Sequence, residues 1–242
     1  MKVLFLGLIF STTTLLSFGQ KSYDDLKILY ADGNYEKLIK VATKYTSDED
    51  TRKDAMPHLW MARGYYKISI AGSDDPEDKN AFKDAVGAIS KFLKMDKDGE
   101  AMTDPENSEF VETMQAALYE QISNEIATEN FRKAYSWVIK YNKISNNSLG
   151  AKYLEAACKF RTDDKSTAFT MWRDCEVEAG KVTSREDWSP TDLNILKTGV
   201  LESAECLVSA RQVDKAKVLV NKIAPWFEDD EDFKAAYNEI LY

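Results

Sequence analysis

His58 is the only histidine in the chain, so any Ser-His-Asp or Cys-His unit would have to run through it. It stands in "MPHLWMARGYY", near the start of a helical pattern, with no GxSxG-type motif beside it. Nucleophilic sites are recognised by several groups converging, and a structural or surface histidine is the expectation here. Cys158, Cys175 and Cys206 form no CxxC, which signals neither a zinc site nor a thioredoxin-like redox pair. They are expected as buried thiols acting as small hydrophobes, with one optional disulfide left open. "DKDGE" (Asp96 to Glu100) resembles a calcium loop, but an EF-hand has Gly at its sixth position, whereas Gly99 comes fourth. A helix stop explains it better, and helix capping accounts for "SDDPED" and "FEDDED". With 41 Asp and Glu residues, acid pairs are abundant, yet a glycosidase needs two carboxylates facing each other across a cleft. No phosphate-binding Gly-rich loop or dinucleotide fingerprint is present. Neither cofactor nor metal is expected, and a metal-independent hydrolase built on paired carboxylates ranks last among the functional readings.

The charge balance narrows the partners. A formal net charge of −9 argues against nucleic acid, which needs clustered Lys and Arg to release counterions, and disfavours an anionic membrane surface. The first residues read as an export signal, with Lys2 as the positive region, Val3 to Phe10 as the apolar run and Ser17-Phe18-Gly19 as a cleavage site. The apolar run is broken by Ser11-Thr12-Thr13-Thr14 and is short for a membrane span of about 20 residues. The expectation is a signal peptide at residues 1–19 and a mature domain over 20–242, without a transmembrane span or lipid anchor, in the periplasm or secreted. An odd cysteine count in that compartment implies no disulfide framework.

The elements that must position these groups are helical throughout. Sustained two-residue alternation is missing, while turn residues and helix starts divide the chain into pairs. Asp24 to Asp32 and Tyr35 to Tyr45 flank Gly33-Asn34. Thr51 to Ser69 and Pro76 to Met95 flank "AGSDD", with Asp75 as N-cap before Pro76. Further pairs run from Pro105 to Ala127 and Asn130 to Lys143, from Leu149 to Phe160 and Lys165 to Glu178, and from Thr191 to Ala210 and Val213 to Ala224. Pro225 ends the last of these, and "DDED" caps a final helix from Phe233 to Tyr242.

The second helices share a pattern. Tyr35/Leu38, Phe82/Ala85, Phe131/Ala134 and Val213/Ala216 each place an aromatic or apolar residue three before a small residue or Leu, with apolar residues four and seven further on. "DDKSTAFTMWRDC" fits with Ala168 in the small slot. This resembles the tetratricopeptide repeat, whose second helix follows a Gly-x-Tyr-type turn. Ala134 and Ala168 lie 34 residues apart, the repeat length of that family, whereas the other intervals are 47, 49 and 48. The Gly of the family's first helix is matched loosely by Ala62, Ala156 and Ala204, and by Ile122 not at all.

The resemblance implies an all-α, TPR-like helical repeat array of about five antiparallel helix pairs plus a C-terminal capping helix, wound as a right-handed α-solenoid. In such arrays the first helices line a concave face, and the family's spacing nominates Tyr23, Lys27, Tyr30, Arg63, Tyr66, Lys67, Tyr119, Tyr153 and Phe160 as a partner-binding groove. Arg63 and Lys67 are the nominees expected to be exposed. The clamp that some members use for a C-terminal carboxylate is not matched, since Tyr23, Lys27, Trp60, Ala116 and Glu120 occupy those positions. Trp60, Trp137 and Trp172 read as core, and Trp188 as exposed or tucked against the stack. The function expected is an exported, non-catalytic scaffold or adaptor binding a protein or peptide partner within an envelope assembly or secretion complex. The alternative is a helical-repeat protein that binds a glycan or small ligand on Tyr and Trp platforms.

Overall fold

The computed structural model describes residues 22–72, 78–145 and 147–241. The proposed signal peptide, the Asp75-Pro76 helix start and Tyr242 lie outside the described residues. Eleven α-helices and no strand occur among those described: α1 (Asp24–Ala31), α2 (Tyr35–Tyr45), α3 (Met56–Ala71), α4 (Ala81–Met95), α5 (Pro105–Ala127), α6 (Phe131–Tyr141), α7 (Leu149–Arg161), α8 (Lys165–Ala179), α9 (Pro190–Ser209), α10 (Val213–Ile223) and α11 (Glu231–Leu241). None is long and apolar enough to cross a membrane.

The turn inside the first pair recurs. Gly33 has φ +71°, its N–H donates to the Tyr30 carbonyl, and the N–H of Asn34 reaches back to that of Leu29. This is the Schellman arrangement, in which a left-handed residue lets two amides satisfy carbonyls of the last helical turn. The same bonds close α5 around Glu129 (φ 56°), α7 around Asp163 (φ 70°) and α9 around Arg211 (φ 61°). One turn geometry thus folds the second helix back along the first in four pairs, three times without glycine.

The shared face of the second helices also recurs. Leu38, Ala85, Ala134, Ala168 and Ala216 are all fully buried, and four residues on so are Ala42, Ile89, Val138 and Val220, with Trp172 nearly so. That spacing puts one stripe of each helix against its partner. Two helix starts depart from the sequence reading. The α3 helix begins at Met56 rather than Thr51, because residues 48–54 close their own turn and Thr51 turns inward to donate to the Tyr45 carbonyl. A 3-10 turn over Asp78–Asn80 precedes α4, whose regular helix starts at Ala81.

Three clusters make the core. Leu26, Leu38, Ala42 and Trp60 hold the first pair against α3. A middle cluster joins α3 to α6 and takes in Ala151 and Leu154 of α7. The third joins α7 to α11. The α9 helix serves both of the larger clusters, with Ile195 in the middle one and Leu196 in the third. It lies so close to α7 that a Cβ on Gly150 would strike the Leu196 backbone and one on Gly199 would strike the Gly150 carbonyl. Trp172 Nε1 donates to Ser203 Oγ at 2.8 Å, and that hydroxyl donates to the Tyr153 carbonyl at 3.0 Å, which ties α8 and α9 to α7.

Candidate functional site

The groups that could have carried acid–base or thiol chemistry are inside the protein. His58 is buried in the first turn of α3, its Nδ1 has no hydrogen-bond partner, and burial, then the nearby Lys91 ammonium, holds its pKa below the ordinary value. All three cysteines are buried and free, and burial pushes each thiol up to about 12, away from the reactive thiolate. The Asp96 carboxylate accepts from the amides of Ala101 and Met102, so it closes a turn. No cluster of three or more metal-ligating side chains occurs among the described residues.

The nominated groove residues divide by position. Tyr23 is buried and donates its hydroxyl to Asp54, while Lys27 beside it is exposed. Tyr30 is half-buried, with its ring against Trp60 and Tyr35. Arg63 is buried, which corrects the expectation that it is exposed. Its guanidinium lies over Trp60 and donates at 3.0 Å to both the Glu106 carbonyl and Asn107 Oδ1. The planar fork suits such a bridge between α3 and α5, and it needs no carboxylate to hold it. Tyr66 and Lys67 are half-buried, Tyr66 with its ring edge toward Phe110. Tyr119 donates to or accepts from Thr198 at 2.9 Å across to α9. Tyr153 is fully buried under the same helix, and Phe160 is buried among Phe169, Trp172 and the Lys165 ammonium. Of the positions that the repeat spacing offered to a partner, α9 therefore covers Tyr153 and bonds Tyr119, while α8 covers Phe160.

Two of the open clefts lie along the seam between the second and third pairs. There, long side chains bridge the helices: Arg63 to Asn107, Tyr66 to Phe110, and Phe82 to Trp137 with ring centroids 5.8 Å apart. Two clefts of about 560 Å³ each flank the Arg63 bridge. The first is bounded by Tyr23, Lys27 and Trp60 on one side and by Glu100, Asp104 and Asn107 on the other. Asp104 also caps α5 by accepting from the Glu106 amide at 2.9 Å. The second lies between Tyr66 and Ile70 of α3, Phe82 of α4, Gln121 and Asn124 of α5, and Trp137 of α6.

Sequence reasoning assigned Trp137 to the core, but the structure leaves it half-buried on the wall of this second cleft. Phe82, read only as a packing residue of the repeat, shares that wall. Both stand on successive second helices, α4 and α6, and no local pattern in the sequence marks them as wall rather than core. Trp188 packs edge-on against Trp226 at 5.9 Å, tucked against the stack.

No protein-family model, no curated protein and no solved structure matches the chain. The helix-pair architecture and the two seam clefts are therefore the whole basis for a functional reading.

Proposed function

We propose that this protein is an exported, non-catalytic TPR-like scaffold, a solenoid of helix pairs that binds another protein or a peptide segment, within an envelope assembly or secretion complex. The observation that carries the reading is the second seam cleft. Tyr66, Phe82 and Trp137 offer ring surface there, next to the amides of Gln121 and Asn124, on helices already fixed by the core. Rigid aromatics supply contact area at low entropy cost, and adjacent amides can pair with a peptide backbone. Lys27, Tyr30, Tyr66, Lys67 and Tyr119 are the nominees that keep some exposure for a partner. The buried histidine and thiols support a role without chemistry.

A photo-crosslinking residue placed at Tyr66, and separately at Lys215 on α10 as a control, tests this in the native cell. Protein adducts are expected from position 66 and not from 215. Absence of any adduct at 66 in a folded protein would overturn the reading. One observation favours a second one: Asn80, Gln121 and Asn124 lie beside the Trp137 ring, which is also how a neutral glycan is held. Thermal stabilisation by a neutral oligosaccharide panel, without any protein adduct, would favour that alternative.

A further inference from the structure

The second cleft gathers lysines in a chain that is acidic as a whole, two of them on its described lining against one carboxylate. The chain carries a net −9, yet Lys79 and Lys83 line this cleft, and Lys140 and Lys143 follow on α6 and just beyond it. None of these four lysines has a carboxylate at ion-pair distance among the described residues. Lys140 Nζ stands 4.9 Å from the centroid of the Trp137 ring and donates to the Ser136 carbonyl at 2.9 Å. Burial, then repulsion from Lys83 and Lys143, holds its pKa below the ordinary lysine value. The N-terminus of α4, whose Asn80 N-cap makes no side-chain capping bond, adds its positive dipole end to the same rim. Glu120 is the carboxylate among the described residues of the lining.

Like charges gathered on two helices repel one another, and an arrangement of this kind is relieved by an anion placed between them. The floor beneath them is apolar. Phe82 and Trp137 are tilted at 55°, Tyr66 closes one side, and Ile70 stands 58% exposed at the mouth. A compact inorganic anion would leave those rings uncovered. An extended chain with alternating carboxylates and rings would engage both features.

We infer that this cleft docks an acidic peptide segment, which seats an aromatic or aliphatic side chain between Tyr66, Phe82 and Trp137 while its carboxylates meet Lys79, Lys83 and Lys140. The inference rests on the peptide-binding reading above and specifies the partner's chemistry. It places the partner at the seam between pairs, with two of the three lysines on α4 and α6 rather than on the first helices.

The test pans a random displayed peptide library against the intact protein. Enriched sequences are expected to combine Asp or Glu with Phe, Tyr, Trp or Leu. Their synthetic versions should lose at least about tenfold in affinity with Lys83→Glu/Lys140→Gln, and similarly at about 1 M salt, where the Debye length is about 3 Å. Lys83→Glu alone, at an exposed position, serves if the double variant does not fold. Enrichment of neutral or basic peptides, affinity unmoved by either variant, or no enrichment at all would overturn the inference. So would quenching of Trp137 by a sulfated oligosaccharide that the acidic peptides fail to reproduce. Protein adducts at position 66 alongside any of these outcomes would leave the scaffold reading standing and remove only the acidic partner.

Discussion

Asp192 is a buried carboxylate with no Lys or Arg at ion-pair distance among the described residues. It accepts from Tyr141 Oη at 2.9 Å and Ser145 Oγ at 2.6 Å, and it lies in the first turn of α9, where the helix dipole favours an anion. Removing one donor leaves a buried anion short of a partner. Tyr141→Phe is expected to lower stability by about 1–3 kcal/mol, read from urea melts. His58 sets a pH dependence of definite sign. Its folded pKa lies below the ordinary histidine value of about 6.5, so below that pH the unfolded chain binds more protons than the folded one. Stability falls as pH drops from about 6.5 through the folded value, and the melting temperature of His58→Leu should decline less over that window. The residue scale was the least legible in sequence. Arg63 and Tyr153 sit at spacings that repeat logic assigns to an open face, and their burial is decided by Asn107 and by α9, which stand 44 and about 50 residues away along the chain.

Helices and turns were far more legible, because both are settled within a few residues. The period of the apolar positions located each second helix, and "ADGNY" located the first turn. What sequence did not disclose is that Glu129, Asp163 and Arg211 adopt the conformation for which Gly33 is built. Residues with a Cβ pay roughly 1–2 kcal/mol there. Glu129→Gly and Arg211→Gly should each stabilise the protein by about 0.5–1 kcal/mol after the added freedom of the unfolded chain is allowed for, with less at Asp163, since Asp tolerates the left-handed region better. In the opposite direction, Gly33→Pro imposes a negative φ and deletes the N–H bonded to the Tyr30 carbonyl, costing about 3 kcal/mol or more, whereas Asn34→Asp should stay within about 0.5 kcal/mol. Circular-dichroism melts of the five variants decide between these outcomes. The start of α3 was missed because the turn before it is held by Thr51, a residue whose hydroxyl finds its acceptor in the previous helix.

At the scale of the molecule, the pairs do not stack with neighbours alone. The α9 helix reaches α5 through Thr198 and Tyr119, reaches the end of α6 through Asp192 and Tyr141, and meets α7 backbone to backbone at Gly150 and Gly199. Stability in a linear array is nearly a sum over adjacent repeats, but here one helix welds three pairs. Gly199→Ala should therefore cost about 3 kcal/mol, the upper end for overpacking, because the contact it violates is main chain and cannot turn aside. Hydrogen exchange should show α7 and α9 losing protection together, near the global opening, while α1 and α2 open first from their small cluster.

That weld bears on how the chain is made. During vectorial synthesis, α5, α6 and α7 emerge well before α9, so Tyr141, Tyr153 and Leu154 lack the part of their cover that α9 supplies until residues 190–209 follow. The N-terminal pairs can settle as they appear, but the second half must wait, exposing apolar surface to whatever escorts the nascent polypeptide. An arrest of synthesis after α8 should leave a protease-sensitive chain, and release of α9 should convert it to a resistant one in a single step.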